Sequence, residues 1–461
     1  MTKIIKQTGR LLGVLMTGLV LALPWAQAQA AHDIRGITGP TFNLYSFVFN
    51  MNLPEGSSLQ MWGFGDADDG AGATHPEGEG YGLPQYPGPT LIVTEGETVT
   101  INLTNLGVPQ PVSIVVTGHN VNASGGSAGL VTQAANVNES VTYTFTAPEP
   151  GTYVYHSLDG ANPGLHVEMG LLGALIVRPA DGSRSAYGAG TETDYEQEFL
   201  SLLTEVDPEI HIQMERGHVE HFTQSDRFAK VWFVNGRVFP DLFQGDFNSL
   251  FPNQPYQSLA LAHPGDKVLV RHVNAGHDSH PFHFHGENLR FVGRDGRMLT
   301  SDGLVADLGR SDNTINSAPK QTVDAIWTWT GKDLGWDIYG TGPKHKHDCN
   351  GIPVHGGGYT DEERQTAGFD PVTGEYCPDH GKEFPVTLPG AQDLTLGGWW
   401  SGSPFLGDTG DLPPGEGGLN PFGGYFFVWH SHAEKELTTF DIFPGGSLGA
   451  VVVLPSDVGI Q

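Results

Sequence analysis

Short runs of β-branched and aromatic residues recur along most of the chain, and turn residues separate them. Many runs alternate apolar and polar positions, the period of a strand that buries one face. No run has the period of a long amphipathic helix, and only short turns are expected, at 242–252 and 434–438. The predicted strands are 41–49, 59–64, 90–103 with a turn at 95–97, 112–116, 140–145, 151–156, 170–178, 195–206, 229–235, 258–262, 267–274, a strand around His280, 288–292, 321–329, 425–430 and 448–454.

These strands form two sets with a recurrent order. Each set closes on a Gly-Ala strand rich in branched apolar residues, Gly173–Val177 in the first and Gly449–Val453 in the second. The Gly/Ser/Ala/Asp-rich residues 179–194 separate the sets as a linker would. We therefore expect an all-β protein of two related antiparallel sandwiches. Their predicted bounds are 35–180 and 195–461, with about 340–422 as a long loop insertion in the second.

The N-terminus is first basic and then apolar. Lys3, Lys6 and Arg10 precede an apolar run at 11–23, and small residues follow at 26–30. This pattern predicts a Sec signal peptide over residues 1–30. The apolar run is too short to span a bilayer, and no later stretch of about 20 apolar residues occurs. We expect a periplasmic or secreted protein with no membrane span.

Composition narrows the expected partners. The formal net charge is −29 over 461 residues. A surface this acidic repels phosphate backbones and anionic lipids, so neither nucleic acid nor a membrane surface is an expected partner. Glycine (64) and proline (32) are abundant, yet aromatic residues still make up 10% of the chain. That balance is typical of a loop-rich, folded β protein.

Histidines are concentrated on two of the predicted strands. In the motif His-Pro-Phe-His-Phe-His-Gly at 280–286, the period of two puts His283 and His285 on one face and the phenylalanines on the other. A second pair, His430 and His432, lies on a distant apolar strand. Neutral imidazoles are ligands of divalent copper, zinc or iron. Burying them unpaired would cost roughly 1–3 kcal/mol each, so we predict a metal site, with satisfied polar packing as the alternative.

Three motifs together resemble the multicopper oxidase superfamily: residues 151–157 (Gly-Thr-Tyr-Val-Tyr-His-Ser), 280–286, and 427–432 (Phe-Val-Trp-His-Ser-His). The resemblance covers roughly residues 40–180 and 195–455. It implies two cupredoxin-like Greek-key β-sandwich domains, as in two-domain multicopper oxidases and copper nitrite reductases, with copper as the cofactor. It also implies a homotrimer, in which copper lies between the first domain of one subunit and the second domain of its neighbour.

The resemblance also assigns candidate ligands. His280 would bind a mononuclear type 1 copper and His283 a type 2 copper. A type 3 pair would be held by His285, His430, His432 and His156. Additional candidate ligands are His166, His119 and Glu436.

Several positions depart from the family pattern. Serines stand at both cysteine positions, Ser157 and Ser431, and a neutral hydroxyl does not replace the thiolate of a type 1 centre. Glu436 occupies the place of the second type 1 histidine, and Val115 and Thr117 replace a first-domain His-x-His. We therefore expect no electron relay through a blue copper centre.

The residues that flank the motifs have simpler expected roles. Asp278, in the turn before His280, is a candidate acceptor that orients the His280 ring. Glu434 and Glu436 are expected to be solvated, with a carboxylate ligand to the metal as the alternative.

The predicted insertion contains both cysteines of the chain, Cys349 and Cys377. In an oxidising compartment they are expected to form a disulfide, which would remove roughly 3 kcal/mol of loop entropy from the unfolded chain. A second Cys/His metal site is the alternative, because His345, His347 and His380 lie at spacings that zinc and copper(I) sites use.

Together these features predict a copper-dependent oxidoreductase that works directly at an interdomain histidine cluster. Its expected substrate is a small molecule or a metal ion, with dioxygen as co-substrate. One alternative is a non-catalytic copper-binding or structural periplasmic protein of the same fold. A relative of nitrite reductase is less favoured, because Ser157 stands in the position of its cysteine ligand.

Overall fold

The computed structural model describes residues 33–68, 82–158, 162–218, 222–332, 368, 376–379, 425–454 and 459–460. The predicted signal peptide, Cys349 and most of the predicted insertion lie outside these residues. Within the described ranges, no helix is both long enough and apolar enough to cross a membrane.

The first half of the chain forms two five-stranded sheets around one core. One sheet has the order β1-β4-β12-β11-β6 and the other β3-β2-β5-β10-β7, while β8 pairs with β9. The inward positions of the fifth strand, Val99, Ile101 and Leu103, are fully buried, as its alternating pattern predicts. The strands are β1 (Ile37–Thr38), β2 (Thr41–Asn52), β3 (Ser58–Asp66), β4 (Leu91–Thr94), β5 (Thr98–Asn105), β6 (Val115–Val116), β7 (Asn122–Gly125), β8 (Ser127–Ala128), β9 (Gln133–Ala134), β10 (Ser140–Thr146), β11 (Gly151–His156) and β12 (Leu172–Arg178).

The second half forms a seven-stranded sheet and a five-stranded sheet. The larger has the order β14-β13-β16-β22-β18-β19, with β20 beside β18, and the smaller has the order β15-β24-β23-β17-β21. Large aromatic side chains fill the core, including Phe284, Trp327 and Trp429. The strands are β13 (Gln197–Val206), β14 (Val231–Val234), β15 (Leu259–Ala262), β16 (Lys267–Asn274), β17 (His280–Phe284), β18 (Leu289–Arg294), β19 (Arg297–Met298), β20 (Arg310–Asp312), β21 (Thr314–Ser317), β22 (Thr322–Thr328), β23 (Tyr425–Ser431) and β24 (Leu448–Val453).

Two short helices occur among the described residues, α1 (Pro163–Met169) and α2 (Pro208–Glu215). Proline opens each helix, where its missing N–H costs nothing. The Asp207 side chain caps α2 by accepting a hydrogen bond from the backbone N–H of Glu209. Tight 3-10 turns at Asp241–Phe243 and Glu434–Leu437 fall at the two predicted turn regions.

The two sandwiches are joined by an apolar core and by buried charge. Val154 and Ile176 of the first sandwich pack in one cluster with Leu202 of the second. Glu198, buried on β13, binds Arg178 of β12 at 2.6 Å and also the fully buried Arg271. Because a buried carboxylate is stable only when it is paired, these contacts hold the sandwiches against each other.

The all-β prediction is confirmed, since sheets dominate both halves of the chain. The predicted strands that alternate or are wholly apolar are present, most of them within a few residues of the predicted ends. Several short strands were not predicted, such as β7–β9 and β19–β21. They are two to four residues long, which is too short to show a period.

Candidate metal centre

Four histidine rings form a cluster on one face of the smaller sheet in the second sandwich. Strands β17 and β23 pair antiparallel, with His283 directly opposite His430. The period of two then brings His285 and His432 to the same face. The ring centroids are 4.7 Å apart for His283–His285, 5.5 Å for His283–His430, 4.6 Å for His283–His432, 5.0 Å for His285–His430 and 5.2 Å for His430–His432.

The four-histidine cluster packs against the apolar core on one side and faces solvent on the other. Phe284 and Trp429 pack behind it in the core, and the Trp429 indole donates to the His285 carbonyl. His285 is 2% exposed, whereas His432 is exposed to solvent. The cluster therefore has an apolar floor and an accessible edge at His432.

Hydrogen bonds to Nδ1 select the tautomer of two of these rings. The Thr314 hydroxyl donates to Asn313, so it accepts from His283 Nδ1–H at 3.0 Å. His430 Nδ1–H donates to the Ser431 carbonyl at 2.8 Å. In a neutral imidazole this leaves Nε2 as the unprotonated nitrogen, the kind of atom through which histidines bind metals.

Burial lowers the pKa of three of the four rings. Burial, followed by the proximity of His432 and His430, lowers the pKa of His283 to about 4. Burial, with His430 and His283 nearby, lowers the pKa of His285 to about 3. Burial also lowers the pKa of His430. Unprotonated nitrogens at neutral pH are what a metal ion requires.

The distance between two of the ring nitrogens fits a shared metal ion, but a third donor is not in place among the residues that the structure describes. His285 Nε2 and His430 Nε2 are 3.1 Å apart, and two nitrogens that each bind one ion at about 2.0 Å stand about 3 Å apart. Among the described residues, however, no three His, Cys, Asp or Glu side chains are arranged so that they could hold one metal ion. Ligation beyond this pair requires the His283 or His432 ring to turn toward it.

His280, the predicted type 1 copper ligand, lies apart from this cluster. It lies on the Phe282 and Phe284 side of β17, opposite His283. Its Nδ1 is 2.9 Å from Glu436 Oε2, and its Nε2 is 2.9 Å from Glu205 Oε2. Both ring nitrogens are therefore hydrogen-bonded to buried carboxylates.

Glu436 and Asp278 also differ from expectation. Glu436 is 1% exposed and binds His280, so it is neither solvated nor directed at the four-histidine cluster. Asp278 pairs with Arg227 at 3.1 Å. The carboxylates that orient His280 are Glu205 and Glu436, whose positions relative to His280 only the packed sheets define.

A separate neutral network occupies the cysteine position of the first sandwich. The buried Ser157 hydroxyl donates to His166 Nδ1 at 2.7 Å and accepts from the Ser113 backbone N–H at 3.1 Å. His166 Nε2–H donates to Gln110 at 3.1 Å. Burial, and then the charge of His156, lowers the pKa of His166 to about 4. Both nitrogens of His166 are thus hydrogen-bonded within this network.

The remaining first-domain candidates do not reach the cluster within one chain. None of the ring contacts among the described residues joins His156 to it; the titratable groups that lower the pKa of His156, after burial, are Lys320 and His277. His156 Nδ1–H donates to the Ser157 carbonyl at 3.2 Å, which leaves Nε2 as an acceptor. His119 packs edge-on between Phe145 and Tyr153 in the core.

Cys377 is disulfide-bonded, and its predicted partner Cys349 lies outside the described residues. A disulfide removes the thiolate that a Cys/His metal site at Cys377 would need. His345, His347 and His380 also lie outside the described residues.

Sequence reasoning did not identify Glu205 and Arg227, which complete the surroundings of His280. Glu205 is a carboxylate in the strand 197–206, whose other residues are also buried. Because a charged residue in such a strand needs a buried partner, its position was a usable signal. Arg227 lies outside the named strands and helices and has no comparable signal.

Comparison with known proteins finds similarity to copper enzymes. The family model described as Multicopper oxidase matches residues 84–182, within the first sandwich. A copper-containing nitrite reductase of Alcaligenes xylosoxydans xylosoxydans is 29% identical over 221 residues, 47% of this chain and 63% of that protein. An L-ascorbate oxidase of Brassica rapa subsp. pekinensis is 32% identical over 158 residues, 33% of this chain and 26% of that protein. The chain thus spans less than two thirds of the length of either relative.

Solved structures agree on the fold. The multicopper oxidase mgLAC aligns over 91% of this chain and 87% of its own, with a TM-score of 0.52 and 18% identity. The blue copper oxidase from Nitrosomonas europaea aligns over 89% of this chain and 85% of its own, with a TM-score of 0.50 and 16% identity. These likenesses confirm the predicted cupredoxin-like β-sandwich fold. Residues 84–182 thus match the multicopper oxidase family model, and the chain is similar to copper nitrite reductases and ascorbate oxidases over part of its length.

Proposed function

We propose that this protein is a copper-binding oxidoreductase of the multicopper oxidase type that works without a blue relay centre. Copper would be held by His283, His285, His430 and His432. The observation that carries the proposal is the cluster itself, four adjacent rings on two paired strands, of which His283 and His285 have pKa values far below neutrality. Imidazole sites prefer copper among the divalent first-row ions.

Bound copper would supply one-electron redox chemistry toward a small-molecule or metal-ion substrate. The chain's own residues would hold the ion, exclude water from its apolar side, and leave access at the exposed edge by His432. Ser157 and Ser431 are fully buried and offer no thiolate, so they give no basis for a blue centre. Export from the cytoplasm is part of the proposal, and the disulfide at Cys377 is consistent with an oxidising compartment.

Copper loading of the wild type and of a His283→Ala/His430→Ala double variant tests the site. We expect the wild type to bind copper and to show a nitrogen-ligated type 2 EPR signal without an intense blue band. The double variant should lose that copper. His166→Gln is the matched control in the first sandwich and should keep it. Unchanged stoichiometry in the double variant would remove the proposed site.

A non-catalytic copper-binding role is the second candidate. Two observations favour it. Among the described residues, no three donor side chains are arranged to hold one metal ion. Serine, and not cysteine, stands at positions 157 and 431. Oxygen uptake by copper-loaded protein with phenols, Cu(I) and Fe(II) distinguishes the two candidates. Turnover supports the oxidoreductase, and silence with every substrate supports the binding role.

The homotrimer is retained in the proposal, because the ring contacts of the cluster among the described residues do not include His156 of the first sandwich. Light scattering on the purified protein tests the assembly.

A nitrite reductase activity is disfavoured by the hydrogen bond between Ser157 and His166. Nitrite consumption by the copper-loaded protein would instead support that activity.

A further inference from the structure

Five charged side chains alternate in sign where the two sandwiches meet. Arg227 of the second sandwich binds Glu168 of α1 and, at 2.9 Å, Glu205 of β13. His280 then lies between Glu205 and Glu436, 2.9 Å from each. Both glutamates beside His280 are almost fully buried. This charged chain starts in α1 and ends four residues after His432.

Glu205 fixes the loop that leads into β17. Its carboxylate accepts the backbone N–H groups of His277 at 2.6 Å and Asp278 at 2.9 Å. It also lies against Gly276, where an added Cβ would come within 2.1 Å of the carboxylate. The loop just before His280 is therefore held in place by the Glu205 side chain through three contacts.

Glu436 fixes the segment that follows β23. Strand pairing ends with Ser431, and the next backbone contact joins His432 N–H to the Pro281 carbonyl at 2.8 Å. Four residues later the Glu436 side chain reaches His280, the neighbour of Pro281. The exposed His432 is thus held between two attachments to the same end of β17.

The charge on His280 suits this arrangement. Burial alone would lower the pKa of His280, but its hydrogen bonds to Glu205 and Glu436 raise it to about 10. Both ring nitrogens then carry hydrogen and both donate, so each carboxylate receives a charge-assisted bond.

We propose that His280 is a positioning residue for the four-histidine cluster. Held by Glu205 and Glu436, it attaches the 432–436 segment to β17 and so keeps the His432 ring beside His283, 4.6 Å away. This inference rests on the proposed function of that cluster, and it assigns the His280 network a role in placing a ligand.

The matched pair Glu436→Ala and Glu434→Ala tests the inference. Each variant removes one carboxylate from the same turn, but Glu434 is exposed and Glu436 is buried. In copper-free protein we expect the ring–ring NOE between His283 and His432 to be lost in Glu436→Ala and kept in Glu434→Ala. Retention of that contact in Glu436→Ala would overturn the proposal, whether or not copper binds.

Copper provides a second readout. We expect chelator competition to give about tenfold weaker copper binding in Glu436→Ala, the lower end of what lost support of a metal ligand costs. The hyperfine coupling at saturating copper should change as well. Glu436→Gln keeps an acceptor for His280 Nδ1–H and should restore most of both. Equal affinity and spectra in the two alanine variants would contradict the inference.

Two further comparisons separate positioning from general destabilisation and from failure of the proposed function. Val270→Ala removes buried volume from the other sheet of the same core and should lower the melting temperature without changing the spectrum or the NOE. A changed spectrum there would argue against positioning. Absence of copper in the wild type would refute the proposed function, while the NOE comparison would still decide the inference.

Discussion

Each half of this chain has a serine where the superfamily resemblance places a cysteine, yet the polar networks near the two serines differ. In the first sandwich, Ser157, His166 and Gln110 form a neutral chain of hydrogen bonds. In the second, His280 is a cation between Glu205 and Glu436.

The difference lies in what each network attaches. The neutral network satisfies its own donors and acceptors over short distances, and the residues it joins belong to the first sandwich. The charged network joins α1, the loop before β17 and the turn after β23. Only the charged network borders the segments that carry the four histidines. One serine position thus lies in a local hydrogen-bond network, whereas the other lies near an ion-pair network that joins distant segments.

Replacing His280 should give the largest stability difference between the two networks. His280→Ala leaves the Glu436 carboxylate buried without its cation, and breaking such a pair costs about 3–5 kcal/mol. Urea unfolding at pH 7 measures the loss. His166→Ala is the counterpart in the neutral network and should cost less; an equal loss would erase the distinction between the networks.

Ser157→Ala should have an intermediate effect. It leaves the backbone N–H of Ser113 and the Nδ1 of His166 buried without their partner, which costs about 1–3 kcal/mol. Urea unfolding should show this loss, while the copper content stays unchanged. A fall in copper content would mean that the neutral network of the first sandwich also supports a metal.

The pH dependence of stability should have opposite signs in the two networks. An unfolded histidine titrates near pH 6.5. Because the folded pKa of His280 is about 10, its stabilisation is complete below pH 6.5 and is lost as pH rises through 10. Because the folded pKa of His166 is about 4, stability is lost as pH falls from 6.5 toward 4.

The unfolding free energies of the wild type, His280→Gln and His166→Gln are measured across pH 4–10. The difference between the wild type and each variant gives the contribution of that histidine to stability at each pH. Each should change by up to about 1.4 kcal/mol per pH unit within its own window. Slopes of the same sign for both histidines would contradict the charge states assigned to them.

Ser431→Ala should give the smallest effect. Its hydroxyl accepts one hydrogen bond, from the Ala433 backbone N–H at 3.1 Å, so the cost should be about 0.5–1.5 kcal/mol. Thermal unfolding and copper stoichiometry measure it against Ser157→Ala. A loss of stability as large as that of His280→Ala would mean that Ser431, and not the carboxylates beside His280, holds the end of β23 in place.

Much of the fold was readable from the sequence because the signals are local. The period of two in strands such as β5 reports which residues face a core, and apolar strands such as β12 report burial on both faces. The same period placed His283 and His285 on one face before any tertiary information. The short helices and the two-residue strands gave no such signal.

The sequence by itself determined that two histidine pairs lie on apolar strands and that serines replace both expected cysteines. Only the tertiary structure decided which residues surround His280. Glu436 lies 156 positions from His280 and Glu205 lies 75 positions away. Buried charges choose partners by proximity in the packed protein, and the packing of sheets, which brings such distant residues together, leaves no periodic pattern in the chain.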